Sequence, residues 1–389
     1  MPDPILLPSV AALAGSVLMA RDYLSHRLTN TEDRYMALYG QEEWEANNMD
    51  LTLHAAPADD AALKAAFLER LEAHLLVDSP SRQMLREIAD PGADSLAFAE
   101  DSAVDVASLL APRRGVYFDL SATGRIRVVW NHMQTDGVGM WNALRPLFDE
   151  NPPIVPFRDV PTPPPFLPEL LALPRVARCM AWRGKLRREA SQHAQAAPRS
   201  RGLVRWDAAP IRAMKAETGA PFNLLTSAVA IDAVFQRHPE KGALNVGLTA
   251  YFPFMPGRNR YSVFLCRVRR ADIPGIARQL HRQVKNPMLN WGASSVQSYA
   301  LGRVPDRVFS QVLGYYRRQI DVLISSLPVG QRPVSLGGVR TQIACHPWEL
   351  TLPYYFLLVG TRSELNVSYS SRFAQGDRFL ELGQRHAAA

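Results

Sequence analysis

The sequence predicts an α/β protein made of two core-forming units, and three observations carry that reading. The chain has 389 residues, of which 47% are apolar and 21% charged, enough to bury more than a single core. Runs of alternating apolar residues, expected of half-buried strands, recur between runs with helical spacing. A Pro-rich stretch over 151–174, including Pro163, Pro164 and Pro165, divides the chain near its middle and reads as a crossover rather than a domain.

The elements follow in order. Ile5 to Ala20 is apolar, but Pro8 interrupts it and no basic residue precedes it, so neither a secretory signal nor a comfortable span is expected. A helix packed on the body is the expectation, with contact at a membrane surface as the other course. Asp59 and Asp60 can cap the next helix, in which Leu63, Phe67, Leu71 and Leu75 form an apolar stripe. Val116, Phe118 and Leu120 alternate, a turn follows at Ser121–Gly124, and Ile126, Val128 and Trp130 alternate again, predicting a β-hairpin. Counting onward by twos puts His132 on the buried face. Asp136 and Gly137 then stop the strand, and Val138, Trp141, Leu144 and Phe148 recur at helical spacing.

In the second half, Leu203–Trp206 reads as a strand, Asp207 as the cap of a helix over Ile211–Glu217, and Gly219 as its end. Ala228 to Phe235 is apolar nearly all round, as a central helix should be. Leu244–Phe252 reads as a strand entering a loop that contains Arg258 and Asn259. A final hairpin is expected from Tyr354–Val359 and the alternating Leu365, Val367 and Tyr369.

Charge is distributed unevenly. The formal net charge is +7, yet residues 1–110 hold 19 acidic against 7 basic residues, so the rest of the chain is strongly basic. Arg175, Arg178, Arg183, Lys185, Arg187, Arg188, Arg199 and Arg201 form one basic run, and Arg258, Arg260, Arg267, Arg269 and Arg270 another. A basic side suits a polyanionic partner, although a solvated helix face explains the first run equally well. Nucleic acid ranks last among such partners. Cys179, Cys266 and Cys345 are odd in number and show no ligand spacing, which points to a reducing, cytoplasmic setting. His132 and Asp136 lack a third ligand near them in sequence, so no metal site is expected. The chain contains no P-loop, no Gly-x-Gly-x-x-Gly and no Gly-x-Ser-x-Gly, which argues against nucleotide hydrolysis, a Rossmann cofactor and an α/β-hydrolase.

The stretch carrying the most chemistry is His132-Met-Gln-Thr-Asp136-Gly137 at a strand-to-helix junction. It resembles the His-His-x-x-x-Asp-Gly signature of the CoA-dependent acyltransferase superfamily, which includes chloramphenicol acetyltransferase-like enzymes, alcohol acyltransferases, wax ester synthases and condensation domains. Asn131 stands where the first His of the signature falls. The likeness runs from about residue 28 onward. It implies two chloramphenicol acetyltransferase-like lobes, each a mixed sheet flanked by helices, with a tunnel between them. The expected division is an extension over 1–27, a first lobe over 28–150, a crossover over 151–200 and a second lobe over 201–389.

The resemblance also implies roles. His132 would act as general base, taking the proton of a hydroxyl or amine that attacks a thioester carbonyl, with no covalent enzyme intermediate. Asp136 would hold the loop by pairing with an arginine, for which Arg82 is the candidate and Arg86 its rival. Gly137 would permit the tight turn. Ile324-Ser325-Ser326-Leu327-Pro328 resembles a strand beside the tunnel, so Ser325 or Ser326 would donate to the oxyanion. Arg258, Asn259 and Tyr369 are candidates for substrate binding. No cofactor would be bound; acyl-CoA, or a phosphopantetheine thioester on an acyl carrier protein, would enter as cosubstrate. Three functions follow: an acyl-CoA-dependent acyltransferase, a free-standing condensation-type enzyme fed by a carrier, and a non-catalytic member that binds a carrier or partner.

Overall fold

The computed structural model describes residues 34, 48–76, 96–99, 116–132, 135–150, 167–186, 189–190, 200–251, 261–327, 334–347, 352–360 and 364–373. The expected extension over 1–27, and Arg82, Arg86, Arg258 and Asn259, lie outside these residues.

Among the described residues two six-stranded sheets organise the chain. The first contains β1 (Asn48–His54), β2 (Leu96–Ala99), β3 (Val116–Asp119) and β4 (Arg125–Asn131), completed by β9 (Val334–Leu336) and β10 (Val339–Pro347), in the order β2-β3-β4-β1-β10-β9. The predicted hairpin is β3 and β4, paired antiparallel with Phe118 opposite Val128. Gly124 turns the chain between them at φ +66°, where a Cβ would come within 2.8 Å of the Ala55 carbonyl oxygen, so glycine is required twice over. On one face of this sheet, helices α1 (Asp60–Leu76) and α2 (Gly137–Leu144) bury Leu51, Leu63, Phe67, Phe118, Val128, Trp130 and Trp141 in a single core. Each large side chain fully buried there contributes roughly 1.5–3 kcal/mol.

The expectation that residues 201–389 form the second lobe alone is corrected by β9 and β10. β10 lies antiparallel to β1, with Leu51 opposite Cys345 and Leu53 opposite Ile343. That register places four apolar side chains on the core face, and it covers a β1 edge that would otherwise present unpaired backbone groups.

The second sheet has the order β5-β12-β11-β8-β6-β7, from β5 (Ser200–Asp207), β6 (Ala243–Tyr251), β7 (Tyr261–Arg269), β8 (Val322–Leu327), β11 (Tyr354–Gly360) and β12 (Glu364–Ser371). β8 runs parallel to β6 and β11, and the other pairs are antiparallel. β11 reads Tyr-Tyr-Phe-Leu-Leu-Val-Gly and is buried on both sides because its faces serve two cores. Tyr354, Phe356 and Leu358 pack with helix α5 (Phe222–Arg237), while Leu357 and Val359 join the first-lobe core.

Helix α4 (Ala208–Thr218) begins and ends as predicted: Asp207 Oδ1 accepts from Ala209 N at 2.9 Å, and Gly219 takes φ +63°. Helices α3 (Leu167–Met180), α6 (Ile273–Val284), α7 (Pro287–Leu301) and α8 (Asp306–Arg317) complete the described set. Among the described residues no single helix is long and apolar enough to cross a membrane. α4 and α5 pass together by length and composition, but they meet at 109° and α5 is a core helix.

Candidate active site between the lobes

His132 sits in the turn that leaves β4, half-buried, one residue beyond the strand. Two contacts shape this turn. The Trp130 indole N–H donates to the Thr135 carbonyl at 3.0 Å, folding the chain back on the strand it has just left. Asp136, extended at φ −79° and ψ 174°, is the N-cap of α2, and its Oδ1 accepts from Gly139 N at 2.7 Å. Asn131 is wholly buried and points to the opposite face of β4, toward the side bearing the buried Asp50. There Arg127 Nη2 pairs with Asp50 Oδ2 at 2.8 Å.

The glycine requirement falls on a different residue from the one expected. Gly137 is not among the left-handed glycines, and a Cβ on it would sit 3.6 Å from Leu327 Cδ1, an ordinary contact. A Cβ on Gly139 would instead overlap Thr135 Oγ1. Close approach inside the capping turn therefore demands glycine two positions later.

The His132 ring meets the second lobe at Tyr261, edge to face, with centroids 5.5 Å apart and planes at 61°. Tyr261 opens β7 opposite Tyr251, and the next rung on the same face pairs Thr249 with Val263. Thr249 Oγ1 donates to Ser325 Oγ at 2.9 Å. Leu327 lies on this face too, against Gly137. The structure thus brings His132, Tyr261, Thr249 and Ser325 to one side of the second sheet. Tyr261 and Thr249 were not singled out in the sequence, where the only signal was a tyrosine at each end of the 252–260 segment.

Strand alternation separates the two serines. Ser326 shares the parity of Val322 and Ile324 and therefore faces away from His132's side. Tyr369 is also corrected. It lies opposite Phe356 in β12, 4% exposed, within the second-lobe core, and its ring covers Gly202, where a Cβ would overlap it. Arg82, Arg258 and Asn259 fall outside the described residues, although the segment carrying the last two joins Tyr251 to Tyr261.

The basic runs divide between structural and exposed side chains. Arg175 Nη1 donates to Asn290 Oδ1 at 3.0 Å, and Arg270 Nη2 donates to the carbonyls of Phe235 and His238 at 2.7 Å each, closing the end of α5. Arg178, Arg183, Arg267 and Arg269 are exposed.

The cap can be tested apart from an ion pair. Asp136→Ala is expected to cost about 1–2 kcal/mol in urea unfolding, and Asp136→Asn to recover most of it, because an amide oxygen still accepts from Gly139 N. A variant with Asn as unstable as the one with Ala would mean that charge, rather than capping, is what Asp136 supplies.

No protein-family model matches the chain, and no curated protein matches it by sequence. Solved structures do. The starter condensation domain of rhizomide synthetase RzmA, a double mutant in complex with C8-CoA and Leu-SNAC, is 13% identical; the match covers 93% of this chain and 94% of that one, with TM-score 0.52. Wax ester synthase/diacylglycerol acyltransferase from Marinobacter aquaeolei VT8 is 15% identical over 92% and 98%, with TM-score 0.50. Polyketide synthase associated protein 5 from Mycobacterium tuberculosis is 11% identical over 87% and 93%, with TM-score 0.50.

The chain therefore has the two-lobed α/β fold shared by condensation domains and wax ester synthase.

Proposed function

We propose that this protein transfers an acyl group from a thioester to a hydroxyl or amine, with His132 as general base. The observation that carries this reading is the position of the His132 ring. It leaves the first lobe at a capped strand-to-helix turn and meets Tyr261 on the face of the second sheet that bears the Thr249 and Ser325 hydroxyls. A basic imidazole at a lobe boundary, with hydroxyl donors on the facing sheet, suits acyl transfer.

In the reaction, the acceptor O–H or N–H gives its proton to the imidazole as its heavy atom bonds to the thioester carbonyl carbon. The carbonyl oxygen takes the negative charge. Ser325 is the proposed donor to it, a reading supported by its hydroxyl accepting from Thr249 and so keeping its own proton to donate. The intermediate collapses, the C–S bond breaks, and the imidazolium returns the proton to the leaving thiolate. An ester or amide and a free thiol result, and the histidine is regenerated.

Acyl-CoA is the proposed donor, a carrier-bound thioester the second choice. The relative of known structure noted above was crystallised with an acyl-CoA, and the exposed arginines of the second lobe suit phosphates. Purified full-length protein incubated with acetyl- to hexadecanoyl-CoA and a set of alcohols and amines, with free thiol as readout, tests the reading. Thiol release that requires both an acceptor and His132 supports it. Release only from an acyl carrier thioester overturns the choice of donor, and release from neither overturns the catalytic reading.

A further inference from the structure

Helix α3 is apolar on two sides, and only one of them packs on the described body. Leu167, Leu170, Leu171 and Pro174 fall at i, i+3, i+4 and i+7 and form one stripe. The stripe faces water, with Leu167, Leu170 and Leu171 exposed by 56%, 63% and 51%. The side turned to the protein buries Ala172 and Cys179 and, beside them, a carboxylate: Glu169 is 5% exposed and accepts from Ser295 Oγ at 2.9 Å. α3 and α7 are in close contact there, since a Cβ on Gly292 would overlap the Pro168 carbonyl. Single exposed leucines need no explanation, but a stripe of them on a firmly held helix marks a surface that something covers.

The place where the chain enters points to what covers it. α3 and α7 run antiparallel, since Pro168 and Glu169 meet Gly292 and Ser295 while Arg175 reaches back to Asn290. The leucine-rich first turns of α3 therefore lie against the middle of α7, at Gly292 and Ser295. Arg34 is fixed at the C-terminal end of α7, donating to the Leu301 carbonyl at 2.9 Å and the Val304 carbonyl at 2.6 Å, pairing with Asp306, and lying 4.5 Å over the Phe309 ring. Ser295 and Leu301 are about 9 Å apart along the helix axis.

Ahead of Arg34 runs Ile5–Ala20, which contains no Asp, Glu, Lys or Arg. The intervening residues 21–33 can span about 45 Å, so reach does not limit where this segment settles. The 151–166 segment that leads into Leu167 is a poorer cover, with seven prolines and the charged Arg158 and Asp159. We propose that the exposed leucine stripe of α3 is the docking surface for the chain's own apolar segment Ile5–Ala20, which makes the stripe an internal interface.

Hydrogen–deuterium exchange on the full chain tests this with two double variants, Leu13→Asp/Val17→Asp and Leu170→Asp/Leu171→Asp. The first should speed exchange in peptides over 167–180 by about tenfold, and the second should do the same for peptides over 5–20, because each removes the other's apolar cover. Peptides from β11 should be unchanged in both variants, showing that the lobes remain folded. The proposal is overturned if α3 exchanges equally in the wild type and the first variant. It is also overturned if α3 becomes protected only at higher protein concentration, which would assign the stripe to a second copy, or only with phosphatidylglycerol vesicles, which would assign it to a membrane.

Discussion

Replacing His132 with alanine is expected to lower acyl transfer by about 10²–10⁴-fold, the usual size of a lost general base. The fold should survive, because His132 belongs to neither hydrophobic core and its turn is held by other groups. The Trp130 indole still reaches the Thr135 carbonyl, and Asp136 still caps α2. Turnover and thermal unfolding measured on the same preparation check both halves: kcat should collapse while Tm stays near that of the wild type. An undiminished kcat in the folded variant removes His132 from the mechanism.

Asp321→Ala should have the largest effect on stability, about 3 kcal/mol at pH 7 by urea unfolding. Asp321 is fully buried; its Oδ1 accepts from Lys185 N at 2.5 Å and Leu186 N at 2.7 Å, and its Oδ2 from Asn245 N at 2.9 Å. Alanine would leave three backbone N–H groups without an acceptor and release the end of the crossover from the joint between β6 and β8. Gly184 lies tightly in the same corner, where a Cβ would come 2.8 Å from the Arg318 carbonyl oxygen.

The loss should widen in acid. Burial pushes the Asp321 carboxyl up to about 6, outweighing its three backbone donors. Between roughly pH 4 and 6 the folded chain therefore holds a proton that the unfolded chain does not, and this group adds stability as pH falls. His238 acts in the opposite direction. Burial lowers its pKa to about 4, while its Nε2 lies 2.8 Å from the Tyr354 hydroxyl and its Nδ1 faces Glu189 and Glu240 at about 4 Å, carboxylates that also hold the Lys241 ammonium. Its contribution is complete above pH 6.5 and is lost as pH falls toward 4. Each shift is worth roughly 3 kcal/mol at most, so the two nearly offset one another in the wild type. Asp321→Ala should expose the acid loss due to His238, and His238→Gln should expose the acid gain due to Asp321. Unfolding at pH 7 and pH 5 checks both signs.

The parts of this molecule legible in its sequence are those built from neighbouring residues. The hairpin over Val116–Trp130, the start and end of α4 at Asp207 and Gly219, and the turn carrying His132 all follow from alternation, caps and glycine within a short window. What was missed depends on partners far along the chain. Alternation shows that Leu365, Val367 and Tyr369 share a face, but not that this face lies away from His132. It shows likewise that Ser325 and Ser326 diverge, but not which of them meets Thr249. The demand for glycine at 139 rather than 137 arises from the Thr135 side chain, whose direction is set only once the turn has closed. Tyr261 is invisible for the same reason, since its partner ring belongs to the other lobe.

The pairing of β1 with β10 imposes an order on biosynthesis. Leu51 leaves the ribosome long before Cys345, its partner across the ladder. At synthesis rates of about 5–20 residues per second, the nascent first lobe waits on the order of tens of seconds with one edge of β1 unpaired. Throughout that interval it presents an open strand edge flanked by apolar residues, the kind of surface that chaperones shield and neighbouring nascent chains can capture. The first half of the gene therefore does not encode a self-sufficient unit. A translation product ending before Val334 would contain most of the first lobe's residues and still lack the strands that close its sheet.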